Sequence, residues 1–179
     1  MNKLSMLKRL ILCAICVALC YVLPLAFHAF GAGTAFLPMH IPVLLCGLIC
    51  GWPYGLLCGL VGPVLSSLLS GMPPAAVLPG MILELAVYGA VTGICMRMIR
   101  TKHLYADLYL SLLIAIVCGR IAAGIAQALI FTGGGYTFRL WINAYLLTSL
   151  PGTAIQLILI PTLVFALMKA HLIPERYPK

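Results

Sequence analysis

Six apolar runs fill most of this chain, at about 9–27, 39–51, 54–71, 77–99, 106–131 and 141–170, with only short connections between them. No water-soluble surface can be built from such a sequence. Of its 179 residues 64% are hydrophobic and 8% are charged, whereas a soluble domain carries roughly 25% charged residues. The mean hydropathy is +1.16, so lipid must solvate most of the chain. The runs are expected to be transmembrane helices of one all-α integral-membrane domain covering residues 1–179.

The second and third runs are short for this purpose, since a helix needs about 20 residues to cross a ~30 Å hydrocarbon core. One long or re-entrant element over 39–71 is the alternative to two spans. Charge decides between them. Lys3, Lys8 and Arg9 precede the first run, Arg97, Arg100 and Lys102 follow the fourth, and Lys169, Arg176 and Lys179 close the chain. Basic clusters mark the cytoplasmic side, so an even number of spans must separate the first two. Six spans with both termini cytoplasmic satisfy this. The outer loops are then His28–Pro38, Gly71–Ala76 and Gly133–Arg139.

The basic clusters explain the net charge of +8 without nucleic acid, because a basic groove interleaved with aromatics is missing. The first run lacks a polar segment with a small-residue cleavage site, so it is expected to be a retained helix. A short chain of this kind suits a bacterial cytoplasmic membrane. Its eight cysteines lie in or near the ends of apolar runs. Cys13 and Cys16 form a C-x-x-C pair, but thiols in apolar helix behave as small hydrophobes, which weighs against a thiol oxidoreductase.

Polar groups inside the membrane are costly and mark function by default. Here they are Glu84, Arg120, Gln127, Asn143 and Gln156, with Tyr88 and Tyr145 as softer members. Counting at 1.5 Å per residue, Glu84 lies about 10 Å, Gln127 about 6 Å and Arg120 about 16 Å below the outer face. Glu84 and Tyr88 share a helix face at i, i+4, as do Arg120, Gly124 and Gln127 at i, i+4, i+7. Tyr145, Ser149, Gly152 and Gln156 form a third stripe, which Pro151 should distort. Three such stripes suggest a pocket in the outer half of the bundle. Glu84 and Arg120 could instead simply neutralise each other, and the amides could be interhelical hydrogen bonds. In Leu37–Gly55, LPMHIPVLLCGLICGWPYG, His40 stands between Pro38 and Pro42. Irregular backbone at membrane depth needs protein or a wet cavity around it, so His40 is expected in a broken segment facing that pocket.

Catalytic signatures are lacking: no Walker A sequence, H-E-x-x-H, nucleophile elbow or paired carboxylates occur among the three acidic residues Glu84, Asp107 and Glu175. Asp107 reads as a helix-start residue near the cytoplasmic surface and Glu175 as a solvated tail residue. The chain is expected to bind something without an energy source of its own, and not to be an enzyme.

With these features the chain resembles the substrate-binding S components of energy-coupling factor (ECF) vitamin transporters. The likeness rests on its size, six spans, Ala14-x-x-x-Ala18, and the segments LPMHIPVLLCGLICGWPYGLLCGLVGPVLSSLLSGMPP, ELAVYG, GRIAAG and SLPGTAIQLILIP. The resemblance implies capture of a small water-soluble vitamin or precursor in an outward-facing pocket, then docking on a membrane coupling protein driven by two cytoplasmic ATPases. ATP is used by those partners, and this chain needs no cofactor. Carried over by position, His40, Glu84, Tyr88, Arg120, Gln127 and Asn143 would contact the ligand, and Ala14 and Ala18 would form the docking face. Arg120 suits a carboxylate such as pantothenate or nicotinate; if it pairs with Glu84, a neutral pyridine, pyrimidine or purine-like base fits instead. A stand-alone secondary carrier or channel is the rival reading, but it would call for coupling-ion residues and usually internal repeats.

Overall fold

The computed structural model describes residues 4–29, 36–130, 138–143, 148–174 and 176–177. The described chain is helical: α1 (Met6–Ala29), α2 (His40–Cys50), α3 (Trp52–Ser70), α4 (Leu78–Met98), α5 (Leu104–Ile130), the short α6 (Phe138–Ile142) and α7 (Leu150–Lys169). Five of these helices, α1, α3, α4, α5 and α7, are long and apolar enough to cross a membrane. Their outer faces carry exposed Leu, Ile, Val and Phe, among them Leu7, Leu68, Leu129 and Ile158. Such faces are stable against acyl chains and not against water.

The sixth apolar helix, α2, has 11 residues, a rise of about 16 Å, half of the hydrocarbon thickness. Its position explains how so short a helix is kept. It packs against α1, α3, α4 and α7, and every one of its residues except Leu45 and Ile49 is buried. With protein on all sides, its ends need not reach either water boundary.

Gly51 separates α2 from α3 with φ 96°, in the left-handed region that favours glycine. The reading of two separate elements over 39–71 therefore holds, but the connection is a single residue. Trp52–Gly55 is already the first turn of α3, because Pro53 lacks only an N–H that a first turn leaves unpaired and has its φ preset for a helix. The sixth span also starts later than hydropathy suggests. α7 opens at Leu150 with Pro151 in its first turn, so Pro151 starts this helix and does not distort its interior.

Small residues set the packing of α2, α3 and α4. The Gly55 and Gly89 backbones touch so closely that a Cβ on either would strike the other's carbonyl, and Gly47 meets Gly89 and Thr92 in the same seam. Close approach of this kind replaces the hydrophobic drive that lipid cannot supply. Cys13, Cys20, Cys46, Cys50 and Cys58 are buried in the apolar core that joins α1, α2 and α3, where all described thiols are free. At one end of the bundle Ser66 and Ser67 donate to the carbonyls of Met72 and Pro73, at 2.8 and 2.9 Å, and tie down the α3–α4 loop.

Arg9, Arg97, Arg100 and Arg176 surround one cavity at the opposite end. The start of α1, the α4–α5 connection and the segment after α7 therefore lie together, as an even number of crossings demands. Asp107 is more than a helix-start residue there. Its buried carboxylate accepts from the Thr101 N–H (2.8 Å), the Thr101 hydroxyl (2.7 Å) and the Tyr177 hydroxyl (2.6 Å), and it pairs with Arg176 Nε at 2.7 Å. Glu175 and Tyr145 lie outside the described residues.

Candidate functional site

The buried face of α5 runs Asp107–Leu108, Ser111–Leu112, Ala115–Ile116, Gly119–Arg120, Ala123, Gln127. This is the 3.6-residue period of one helix face, and it carries Arg120 and Gln127 inward, each 7% exposed. On α4 the buried set includes Gly80, Glu84, Tyr88 and Thr92, so Glu84 and Tyr88 face the same interior. On α7 it is Gly152, Gln156, Ile160, Pro161 and Val164. The polar stripes expected from spacing are therefore real faces, and they point toward one another.

Glu84 and Tyr88 are joined directly, the Tyr88 hydroxyl donating to Glu84 Oε1 at 2.9 Å. Their i, i+4 spacing makes that bond local. His40, at the first residue of α2, brings Nε2 to 3.7 Å from the same Glu84 oxygen. Its ring meets Tyr88 edge-on, with centroids 5.3 Å apart. His40 is 1% exposed, and neither ring nitrogen has a hydrogen-bond partner among the described residues. So His40 belongs to the cluster, but as part of a regular helix start and not a broken segment. Pro42 fits there because the first turn needs no N–H from it.

Arg120 lies across Tyr88 from Glu84, near enough for its charge to act on the Tyr88 hydroxyl. Its guanidinium donates to the Thr153 hydroxyl of α7. Thr153 in turn donates to the Ser149 carbonyl at 2.8 Å. Among the described residues Arg120 has no carboxylate within ion-pairing distance, so Glu84 and Arg120 do not neutralise each other by direct contact. A buried guanidinium whose partners among the described residues are neutral hydroxyls keeps most of its unmet charge.

Gln127 lies against Gly80 of α4, where any Cβ would collide with its amide. Gln156 is also buried, and its Nε2 has no hydrogen-bond partner among the described residues. Asn143 is placed differently. It follows α6, its side chain is exposed, and its backbone carbonyl accepts from the Thr148 N–H and hydroxyl, both at 2.9 Å. The structure thus brings together His40, Glu84, Tyr88 and Arg120, sets Gln127 two turns along α5, and leaves Asn143 outside the cluster.

Two contributors escape the sequence. Thr153 is one position off the polar stripe of α7, and nothing local marks it as the partner of Arg120. Trp141 of α6 covers Gly124, whose missing side chain makes room for the indole, and Trp141 Nε1 donates to the Arg120 carbonyl at 3.2 Å. The glycine between Arg120 and Gln127 was the available signal. Gly119 plays the same part for the Tyr88 ring.

Ala14 and Ala18 are exposed on the face of α1 that also presents Ile11, Ile15 and Val22. The opposite face, through Cys13 and Cys20, is buried in the core. The two alanines are therefore free to meet another helix.

No curated protein matches this chain, and no solved structure matches it. Among protein families, residues 8–173 match the one described as ECF transporter, substrate-specific component. With nearly the whole length covered, on a multi-pass helical bundle of this kind, the chain belongs to the family of substrate-specific components of ECF transporters.

Proposed function

We propose that this chain is the binding subunit of an ATP-driven importer in a bacterial cytoplasmic membrane. It captures a small water-soluble vitamin or precursor at His40, Glu84, Tyr88, Arg120 and Gln127, with Asn143 at the rim of the site, in the outer half of the bundle. It then delivers the ligand by docking, through the Ala14 and Ala18 face of α1, on a membrane coupling protein carrying two cytoplasmic ATPases. Both termini face the cytoplasm, as the basic clusters require.

The observation that carries this reading is Arg120. It is buried, hydrogen-bonded to the neutral Thr153, and without a carboxylate beside it among the described residues. Charges in membrane interiors are kept where a ligand or partner compensates them. A ligand carboxylate held by two parallel N–H bonds would do so, which favours an acid such as pantothenate or nicotinate. Glu84, with His40 beside it, would hold a donor group elsewhere on the same molecule.

The test is thermal unfolding of the detergent-purified protein against vitamins and precursors, acids and neutral bases alike. A ligand at 1,000 times its dissociation constant should stabilise by about 4 kcal/mol. One acid should raise the melting midpoint, and Arg120→Gln should abolish that rise. A neutral base that stabilises wild type and Arg120→Gln equally would refute the carboxylate assignment.

A further inference from the structure

The cavity at the far end of the bundle from His40 has a volume of about 260 Å³. Its basic wall is made of Arg9 from α1, Arg97 from the last turn of α4, Arg100 just after it, and Arg176 from the segment beyond α7. Four of the six arginines of the chain therefore meet here, and none of the described lysines lines the cavity. That selection matters, because a guanidinium grips phosphate through a planar pair of N–H donors where an ammonium offers only a point charge.

Arg176 is already committed to Asp107 and to the Ile99 carbonyl. Arg9, Arg97 and Arg100 have no carboxylate within ion-pairing distance among the described residues. Arg9 Nε is moreover buried without a hydrogen-bond partner among the described residues. A buried, unpaired guanidinium N–H is costly unless an acceptor meets it. Backbone dipoles do not supply the positive potential. The C-terminus of α2 and the N-terminus of α3 meet at Gly51 in the cavity wall, so their end charges largely cancel. The potential comes from the arginines.

Two features set the level of this cavity at the membrane surface. Trp52, whose backbone packs on Gly93 of the cavity wall, is 42% exposed, and Tyr177 lines the rim. Amphipathic aromatics of this kind concentrate at headgroup depth. The density of basic residues assigns this end to the cytoplasm, the leaflet where anionic phospholipids attract basic groups.

We propose that Arg9, Arg97 and Arg100 form a binding site for a phosphate group, supplied by an anionic phospholipid of the cytoplasmic leaflet. Free phosphate or a soluble phosphorylated metabolite shares the chemistry and is the other source. The site is separate from the vitamin cluster and does not depend on it.

The experiment compares wild type with Arg97→Gln/Arg100→Gln and with the control Lys8→Gln/Lys102→Gln, which removes the same charge outside the cavity. Full-length protein is placed in nanodiscs of phosphatidylcholine with or without phosphatidylglycerol, and the melting midpoint and the phosphatidylglycerol retained after detergent extraction are measured. Wild type and the lysine control should retain phosphatidylglycerol and melt higher with it. The arginine variant, which loses charge-assisted hydrogen bonds that the lysine control keeps, should bind it at least about tenfold more weakly. In a second arm, inorganic phosphate is added to the detergent-purified proteins against a chloride control. Stabilisation by phosphate, lost in the arginine variant, with no response to phosphatidylglycerol would keep the site and move its ligand to the soluble source. Equal losses in the arginine and lysine variants, or no response to either probe, would overturn the proposal.

Discussion

Arg120 shows how a single side chain can restrict the choice of ligand. Its hydrogen-bond partners among the described side chains, the Thr153 and Tyr88 hydroxyls, offer direction but no charge. Losing a charge-assisted pair to a ligand carboxylate should cost about 1.5–3 kcal/mol. Arg120→Gln is thus expected to weaken binding of an acid by roughly 10- to 150-fold, as measured by calorimetric titration. Thr153→Val removes only the positioning bond and should cost about tenfold or less. If the two variants lost equal affinity, Arg120 would be a structural group oriented by Thr153, not a ligand contact. Tyr88 stands between the two charged residues and is tied to Glu84 at 2.9 Å, so each can act on a different part of one small molecule.

Helices decide which residues are free and which are fixed. α1 turns Cys13 and Cys20 inward and Ala14 and Ala18 outward. Ala14→Leu/Ala18→Leu is therefore expected to leave ligand binding and melting unchanged. Uptake by cells carrying the coupling partners should fall at least tenfold, since methyl-sized surfaces are what let helix axes approach. The α3–α4 seam is the opposite case. Gly89→Leu drives a side chain into the Gly55 carbonyl and should destabilise the bundle by about 3 kcal/mol, visible as a lower melting midpoint in detergent. At this scale the sequence was informative wherever the information is local. The i, i+4 pairing of Glu84 with Tyr88 and the inward stripe of Arg120 and Gln127 follow from helical spacing alone. Hydropathy starts the last span too early because Trp141 and Ile142 of α6 are apolar like the helix that follows, and only Pro151 in its first turn marks where α7 begins. Partnerships between helices distant in sequence, such as His40 with Glu84 or Arg120 with Thr153, depend on how helices stack and leave no trace in spacing.

Across the whole molecule, the ends of the bundle are built differently. One holds the His40, Glu84, Tyr88 and Arg120 cluster; the other holds the arginine-walled cavity and the Asp107 junction. Asp107 fastens the segment after α7 to the α4–α5 connection through Arg176 and Tyr177. Asp107→Asn weakens this junction and leaves Arg176, whose side chain is 17% exposed, to turn toward water. The expected cost is about 2 kcal/mol, less than for a fully buried pair, with faster carboxypeptidase trimming of the C-terminal residues as the second readout. Unchanged trimming would mean that the apolar contacts of Ile173 hold the segment alone.

The enclosed α2 has its first residue, His40, beside Glu84 and its last, Cys50, in the wall of the arginine cavity. Its three turns, with Pro42 in the first and Gly47 packed in the seam with Gly89 and Thr92, rise about 16 Å. An axial shift of α2 at His40 would therefore also move Gly51, beside which the arginines stand. The shortest helix of the bundle core thus ties its two polar ends together, and a displacement at one would be felt at the other.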